Sequence, residues 1–153
     1  MNILVIEDSR FLRALIVKTL TRAGYAVIAV ADGEEGLLEA RASRPSLILL
    51  DMMLPGLDGT SVLRALKQDP STAPIPVVVM TGLSQRNAAR LIQAGAATYL
   101  EKTLLKLDES ADALIPVVES ILGPAVRSEE RRSGTVASVV TEDPESSSKE
   151  RVR

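Results

Sequence analysis

Residues 47–56 read LILLDMMLPG: an unbroken aliphatic run, an acid, two methionines, a leucine and a Pro-Gly turn. A continuous apolar run of this length suits a strand buried on both faces of a parallel sheet, not one alternating between core and water. Asp51 ends the run and precedes a loop, so it has no helix start to cap. A carboxylate at the carboxyl end of such a strand stands where open α/β sheets bind their ligands.

Outward from this stretch, further runs of the same kind occupy residues 2–6, 26–30, 76–80 and 97–100. Between them apolar residues recur at helical spacing: Phe11, Leu12, Leu15, Ile16 and Leu20; Leu37, Leu38 and Ala42; Val62, Leu63 and Leu66; Ala88, Leu91 and Ile92. The repeated β-α unit predicts an α/β fold built on a doubly wound, five-stranded parallel sheet. Ser9, Asp32, Asp58 and Ser84 stand where helix N-caps belong, and Gly24 and Gly95 where helices stop. A last helix is expected from about residue 109 to 122, kinked or started late by Pro116.

With 153 residues, 46% hydrophobic and 25% charged, the chain accommodates one domain and an appendage. The division is expected at residues 1–123 and 124–153. The second part turns to Ser, Glu, Arg and Lys and is expected to be a disordered tail; its apolar patch GTVASVVT, residues 134–141, reads as a loose linker in preference to a short strand added to a partner's sheet. A formal net charge of -2, one Phe, two Tyr and no Trp argue against direct nucleic-acid binding. Without Cys or His there is neither a thiolate metal site nor an imidazole base. The apolar run at residues 3–6 meets Glu7 and Asp8 at once, too early for a signal peptide or membrane helix, so a cytoplasmic location is expected.

Glu7 and Asp8 follow the first run, Asp51 the third, Thr81 the fourth, and Lys102 lies just past the fifth. The strand-end rule therefore collects three acids, a hydroxyl and an amine on one rim. Singly, Asp8 and Thr81 could help cap helices and Lys102 could be a solvated amine. Glu7 and Asp8 together are harder to explain this way, because adjacent acids repel unless a cation joins them. Three carboxylates with room for water suit Mg²⁺, often completed by phosphate oxygens. Asp51 could then act as the nucleophile towards a phosphoryl donor, with Thr81 donating to one phosphoryl oxygen and Lys102 pairing with another.

The segments ILVIEDSRFLR (3–13), LILLDMMLPGLDG (47–59), VVVMTG (77–82) and GAATYLEK (95–102) resemble, in order and spacing, the receiver domain of two-component response regulators. The resemblance covers the chain as far as Lys102. It implies a flavodoxin-like sheet of strand order 2-1-3-4-5 with helices on both faces, an order for which a receiver protein is a standard example. It also implies that Glu7, Asp8, Asp51 and the backbone carbonyl of Met53 hold Mg²⁺. Asp51 would accept the phosphoryl group from a histidine kinase or histidine phosphotransfer protein, with Thr81 and Lys102 contacting it. Tyr99 would switch position with Thr81, and Met53 and Leu83 would influence hydrolysis of the acyl phosphate. The expectation is a stand-alone, chemotaxis-type receiver that signals to a downstream protein and assists its own phosphorylation and dephosphorylation.

Two departures bear on the output face. Thr103 follows Lys102 where the family usually has proline, and Pro116 lies in the last helix beyond the apolar stretch at 104–107. They motivate an alternative, a receiver-like module bound by partners without phosphorylation. An aspartate-nucleophile phosphatase would need a general acid and a substrate pocket, and a flavin-binding relative would need more aromatic residues.

Overall fold

The computed structural model describes residues 1–82, 88–105 and 111–124. In chain order the elements are β1 (Asn2–Ile6), α1 (Arg10–Arg22), β2 (Ala26–Val30), α2 (Gly33–Ser43), β3 (Leu47–Asp51), α3 (Gly59–Gln68), β4 (Val77–Thr81), α4 (Ala88–Gln93), β5 (Thr98–Glu101), a 3-10 turn (Lys102–Leu104) and α5 (Leu114–Leu122). The strands form one parallel sheet in the order β2-β1-β3-β4-β5, the flavodoxin-like order that the resemblance implies.

The continuous runs become the inner strands. Ile3 to Ile6 and Leu47 to Leu50 are fully buried, as are Val77 to Met80, whereas the edge strands β2 and β5 are mostly half-buried. Alternation along the strands divides these side chains between two faces. Leu4, Ile6, Ile48, Leu50, Val77 and Val79 join a core with Ala40 of α2, Val62, Leu63 and Leu66 of α3 and Leu91 of α4. The buried residues of α1 (Leu12, Ile16, Leu20) and α5 (Leu114, Val118) lie outside that cluster, as helices on the second face require. A buried Thr19 Oγ1 accepts the Ala111 N–H at 3.4 Å and the Tyr25 hydroxyl donates to the Gly123 carbonyl at 3.1 Å, tying both ends of the last helical segment to the α1 region.

Local chemistry sets the element boundaries. Ser9 Oγ accepts the Leu12 N–H at 3.2 Å, Asp32 Oδ1 the Glu35 N–H at 2.8 Å and Asp58 Oδ1 the Ser61 N–H at 2.9 Å, each satisfying a helix-end donor. Ser84 lies outside the described residues. Gly24 (φ 106°) and Gly95 (φ 114°) adopt the backbone that stops a helix. β4 begins one residue later than the sequence suggests because Pro76 has no N–H; its carbonyl still accepts the Ile48 N–H at 3.0 Å. Pro116 is the third residue of α5, where a missing N–H costs no helical bond, so the helix starts late instead of kinking.

Residues Met1–Gly123 form one compact unit. The tail from residue 125, including the patch at 134–141, lies outside the described residues. No described helix is long and apolar enough to cross a membrane.

Candidate functional site

Register places the candidate residues at one level. Ile6 pairs with Leu50, so Glu7 follows β1 at the height of Asp51; Asp51 pairs with Met80, Thr81 comes next, and Thr81 pairs with Glu101, which Lys102 follows. The strand ends alone thus gather the acids, the hydroxyl and the amine.

Asp51 remains within β3 and is 0% exposed, as is Glu7 beside it. Lys102 Nζ lies 2.9 Å from Asp51 Oδ1, which also accepts the Met53 N–H at 2.9 Å. The same Nζ is 3.3 Å from Glu7 Oε1, close enough for charge attraction but not aligned as a hydrogen bond. Glu7 Oε2 accepts the Ser9 N–H at 3.0 Å. Asp8 is exposed and completes the mouth of the site: one oxygen from each of Glu7, Asp8 and Asp51 lies within 4.8 Å of the others.

One lysine does not balance this charge. Burial pushes the Glu7 carboxyl up to about 7; the Ser9 N–H pulls against that rise, the Asp51 charge adds to it and Lys102 opposes it. Burial alone would lower the Lys102 ammonium, but its bond to Asp51 and the charges of both acids outweigh it, and its pKa is raised. Glu7 Oε1 and Asp51 Oδ2 are buried acceptors that no hydrogen-bond donor meets. Buried, unsatisfied carboxylate oxygens are costly unless a cation joins them, and three hard oxygen donors at this separation fit Mg²⁺.

Beside the acids a cleft of about 520 Å³ is lined by Asp8, Met52, Met53, Leu54, Pro55, Asp58 and Thr60. Met53 is 67% exposed there. Thr81 is buried at the end of β4, and Tyr99, half-buried against the core, pairs with Val79 two residues earlier. Thr103 is exposed in the turn after β5, and Leu83 lies outside the described residues.

Two residues of this region are not singled out by sequence reading. A Cβ on Gly59 would stand 2.5 Å from both the Asp51 carbonyl oxygen and Met52 Cα, so only glycine lets α3 start against the backbone of the acceptor. Its only sequence signal is an Asp-Gly pair, which equally marks an ordinary turn. Arg13 Nη1 donates to the carbonyls of Glu7 (2.8 Å) and Asp8 (3.3 Å). An arginine one turn into a helix whose side chain leans back over the N-cap is the signal that could have found it.

The model of the response regulator receiver domain family matches residues 3–114. The chain belongs to that family, a phosphoacceptor signalling domain of two-component systems that binds Mg²⁺ at an acidic pocket and receives phosphoryl groups from kinases. It is 40% identical over 104 residues to the response regulator PleD of Caulobacter vibrioides, covering 67% of this chain and 23% of PleD. It is 39% identical over 103 residues to the transcriptional regulatory protein HprR of Escherichia coli, covering 67% of this chain and 45% of HprR. The match thus spans less than half the length of these curated relatives. Among solved structures, the phosphorylated cyanobacterial phytochrome response regulator RcpA superposes with a TM-score of 0.72 at 30% identity, covering 82% of this chain and 96% of that one.

Proposed function

We propose that this chain is a phosphorylation-dependent signalling switch whose acceptor is Asp51. A carboxylate oxygen of Asp51 forms the new P–O bond as the P–N bond of a phosphohistidine breaks, returning the imidazole of a histidine kinase or phosphotransfer protein. Lys102, 2.9 Å from Asp51 Oδ1, places an ammonium where negative charge gathers as the phosphoryl group arrives. The observation that carries this reading is the three-acid cluster of Glu7, Asp8 and Asp51, in which buried Asp51 Oδ2 meets no donor and buried Glu7 Oε1 has only the Lys102 ammonium at 3.3 Å.

Glu7, Asp8, Asp51 and the Met53 carbonyl are the groups that would hold Mg²⁺. When bound, the ion neutralises charge between the acids and the phosphoryl oxygens. Thr81 and Lys102 then contact the phosphoryl group through a hydroxyl and an ammonium, and Tyr99 changes its packing as Thr81 moves. The altered surface of residues 1–123 is read by a downstream protein. A cytoplasmic setting and a separate tail from residue 124 belong to the same reading. RcpA, whose solved structure is phosphorylated, is a related chain in which this fold carries the modification.

The test is incubation of the protein with acetyl phosphate and Mg²⁺, followed by intact-mass measurement. Wild type gains one phosphoryl mass and Asp51→Asn gains none; equal incorporation in both would remove Asp51 as the acceptor. Titration with beryllofluoride, followed by NMR at Thr81 and Tyr99, should shift both residues in wild type only.

A further inference from the structure

Between the end of β1 and the start of α1 the Glu7 N–H still reaches the Val30 carbonyl of β2 at 3.1 Å, but the carbonyls of Glu7 and Asp8 look to partners outside the two elements' ladders. The last β1 residue paired with β3 is Ile6, opposite Leu50. The first carbonyl taken into α1 is that of Ser9, which accepts the Arg13 N–H at 2.8 Å. The carbonyls of Glu7 and Asp8 fall between these limits, and they belong to the two residues whose side chains carry the acids. The Glu7 carbonyl, part-buried behind its fully buried side chain, needs a donor, whereas that of the exposed Asp8 could also turn to water. Arg13 reaches both from a single nitrogen, whose two hydrogens can serve both acceptors: Nη1 is 2.8 Å from the Glu7 oxygen and 3.3 Å from the Asp8 oxygen.

The guanidinium forms no ion pair with the acids in the described structure. Lys102 spends its charge directly on Asp51 and Glu7, whereas Arg13 bonds only to main-chain oxygens here. A cation is thereby placed on the backbone of Glu7 and Asp8 without occupying the carboxylate oxygens a metal would use, and the peptide groups that aim those two carboxylates are fixed. The Ser9 N–H acts in the same direction from the other side, through Glu7 Oε2 at 3.0 Å.

We propose that Arg13 is a positioning residue for the cation site: it locks the turn carrying Glu7 and Asp8 and so sets the affinity for Mg²⁺. This rests on the Mg²⁺-dependent reading above. Partners that orient ligating groups from behind commonly change metal affinity by about 10–100-fold when removed. Arg13→Met keeps the apolar stem and removes both bonds; Arg13→Lys keeps a charge and loses the planar fork.

The experiment is Mg²⁺ titration of wild type, Arg13→Met and Arg13→Lys by calorimetry, with urea unfolding of each protein in EDTA. Arg13→Met should bind Mg²⁺ at least about ten-fold more weakly and Arg13→Lys less severely so. With acetyl phosphate, half-saturating Mg²⁺ should rise by a similar factor, while the rate at saturating Mg²⁺ changes much less. If Arg13→Met fails to fold, Arg13→Lys decides alone: its Mg²⁺ affinity must fall by more than its stability in EDTA predicts. Unchanged affinity in a folded variant overturns the proposal, as does weakening no greater than the loss of stability. Wild type that binds Mg²⁺ but takes no phosphoryl group defeats the function reading and leaves Arg13 to be judged by the titration. Wild type that does not bind Mg²⁺ defeats both.

Discussion

Leu49 and Asp51 lie two residues apart on β3, lean to the same face of the sheet by strand alternation, and are equally removed from solvent at 0% exposure. For Leu49 burial is the source of stability, on the order of 2 kcal/mol for a side chain of that size. For Asp51 the same burial is a cost, offset by Lys102 and the Met53 N–H on one oxygen and left without a donor on the other. One strand thus carries a body that the fold needs and an end that the fold tolerates. Groups kept at an energetic disadvantage in a packed scaffold are what a bound cation or a transferred phosphoryl group can relieve.

The largest effect should come from damaging the body. Leu49→Ala is expected to cost about 2–5 kcal/mol through lost transfer energy and the remaining cavity, read as a lower urea midpoint with or without Mg²⁺. A variant of near-native stability would mean that the inner strands are not packed as described. At the strand end, Lys102→Met removes the cation that bonds Asp51 Oδ1 and approaches Glu7. Because the Lys102 side chain is 24% exposed, the cost in metal-free protein should be about 1–2 kcal/mol, below that of breaking a fully buried pair. Added Mg²⁺ should close most of the gap between Lys102→Met and wild type while leaving the gap of Leu49→Ala, which gains only what wild type gains, unchanged. Equal responses of the two variants to Mg²⁺ would erase the contrast between body and end.

The pH dependence sharpens the same contrast with a smaller effect. Burial raises the Glu7 carboxyl from 4.5 to about 7, so the fold favours its protonated form. In metal-free protein this contribution is whole below about pH 4.5 and is lost as pH rises through 7. Urea midpoints in EDTA should therefore fall across that window in wild type and fall less in Glu7→Gln. A wild-type midpoint that rises across the window to the same extent as Glu7→Gln would show that Glu7 is ionised in the fold without penalty.

The body of the sheet was more legible than its rim. Leu47 to Leu50 announce a doubly buried strand because every residue of the run is aliphatic, and the order of Glu7, Asp8, Asp51, Thr81 and Lys102 follows from strand ends alone. Main-chain chemistry was harder to read. Pro76 looks like the first strand residue until its missing N–H is counted, and Pro116 breaks nothing because it falls in the first turn of α5. Gly59 reads as half of an Asp-Gly turn, and its closeness to the Asp51 carbonyl exists only once α3 is packed. Arg13 reads as one polar position of an amphipathic helix, because sequence spacing does not show which carbonyls two neighbouring elements leave between them.

Ser9 joins both regions and provides the smallest and most selective test. Its hydroxyl accepts the Leu12 N–H at 3.2 Å and so stabilises α1, whereas its own N–H donates to Glu7 Oε2 at 3.0 Å and so serves the acids. Ser9→Ala removes the first bond and keeps the second, since every residue but proline has the N–H. The expected result is a loss of about 1 kcal/mol in urea unfolding with Mg²⁺ affinity unchanged. A fall in Mg²⁺ affinity alongside stability would mean that the helix start and the acids move together, and that the cap is part of the cation site. Unchanged affinity would show that the turn between β1 and α1 holds its acids without the cap, through the Ser9 N–H on Glu7 Oε2 and the Arg13 guanidinium on the carbonyls of Glu7 and Asp8.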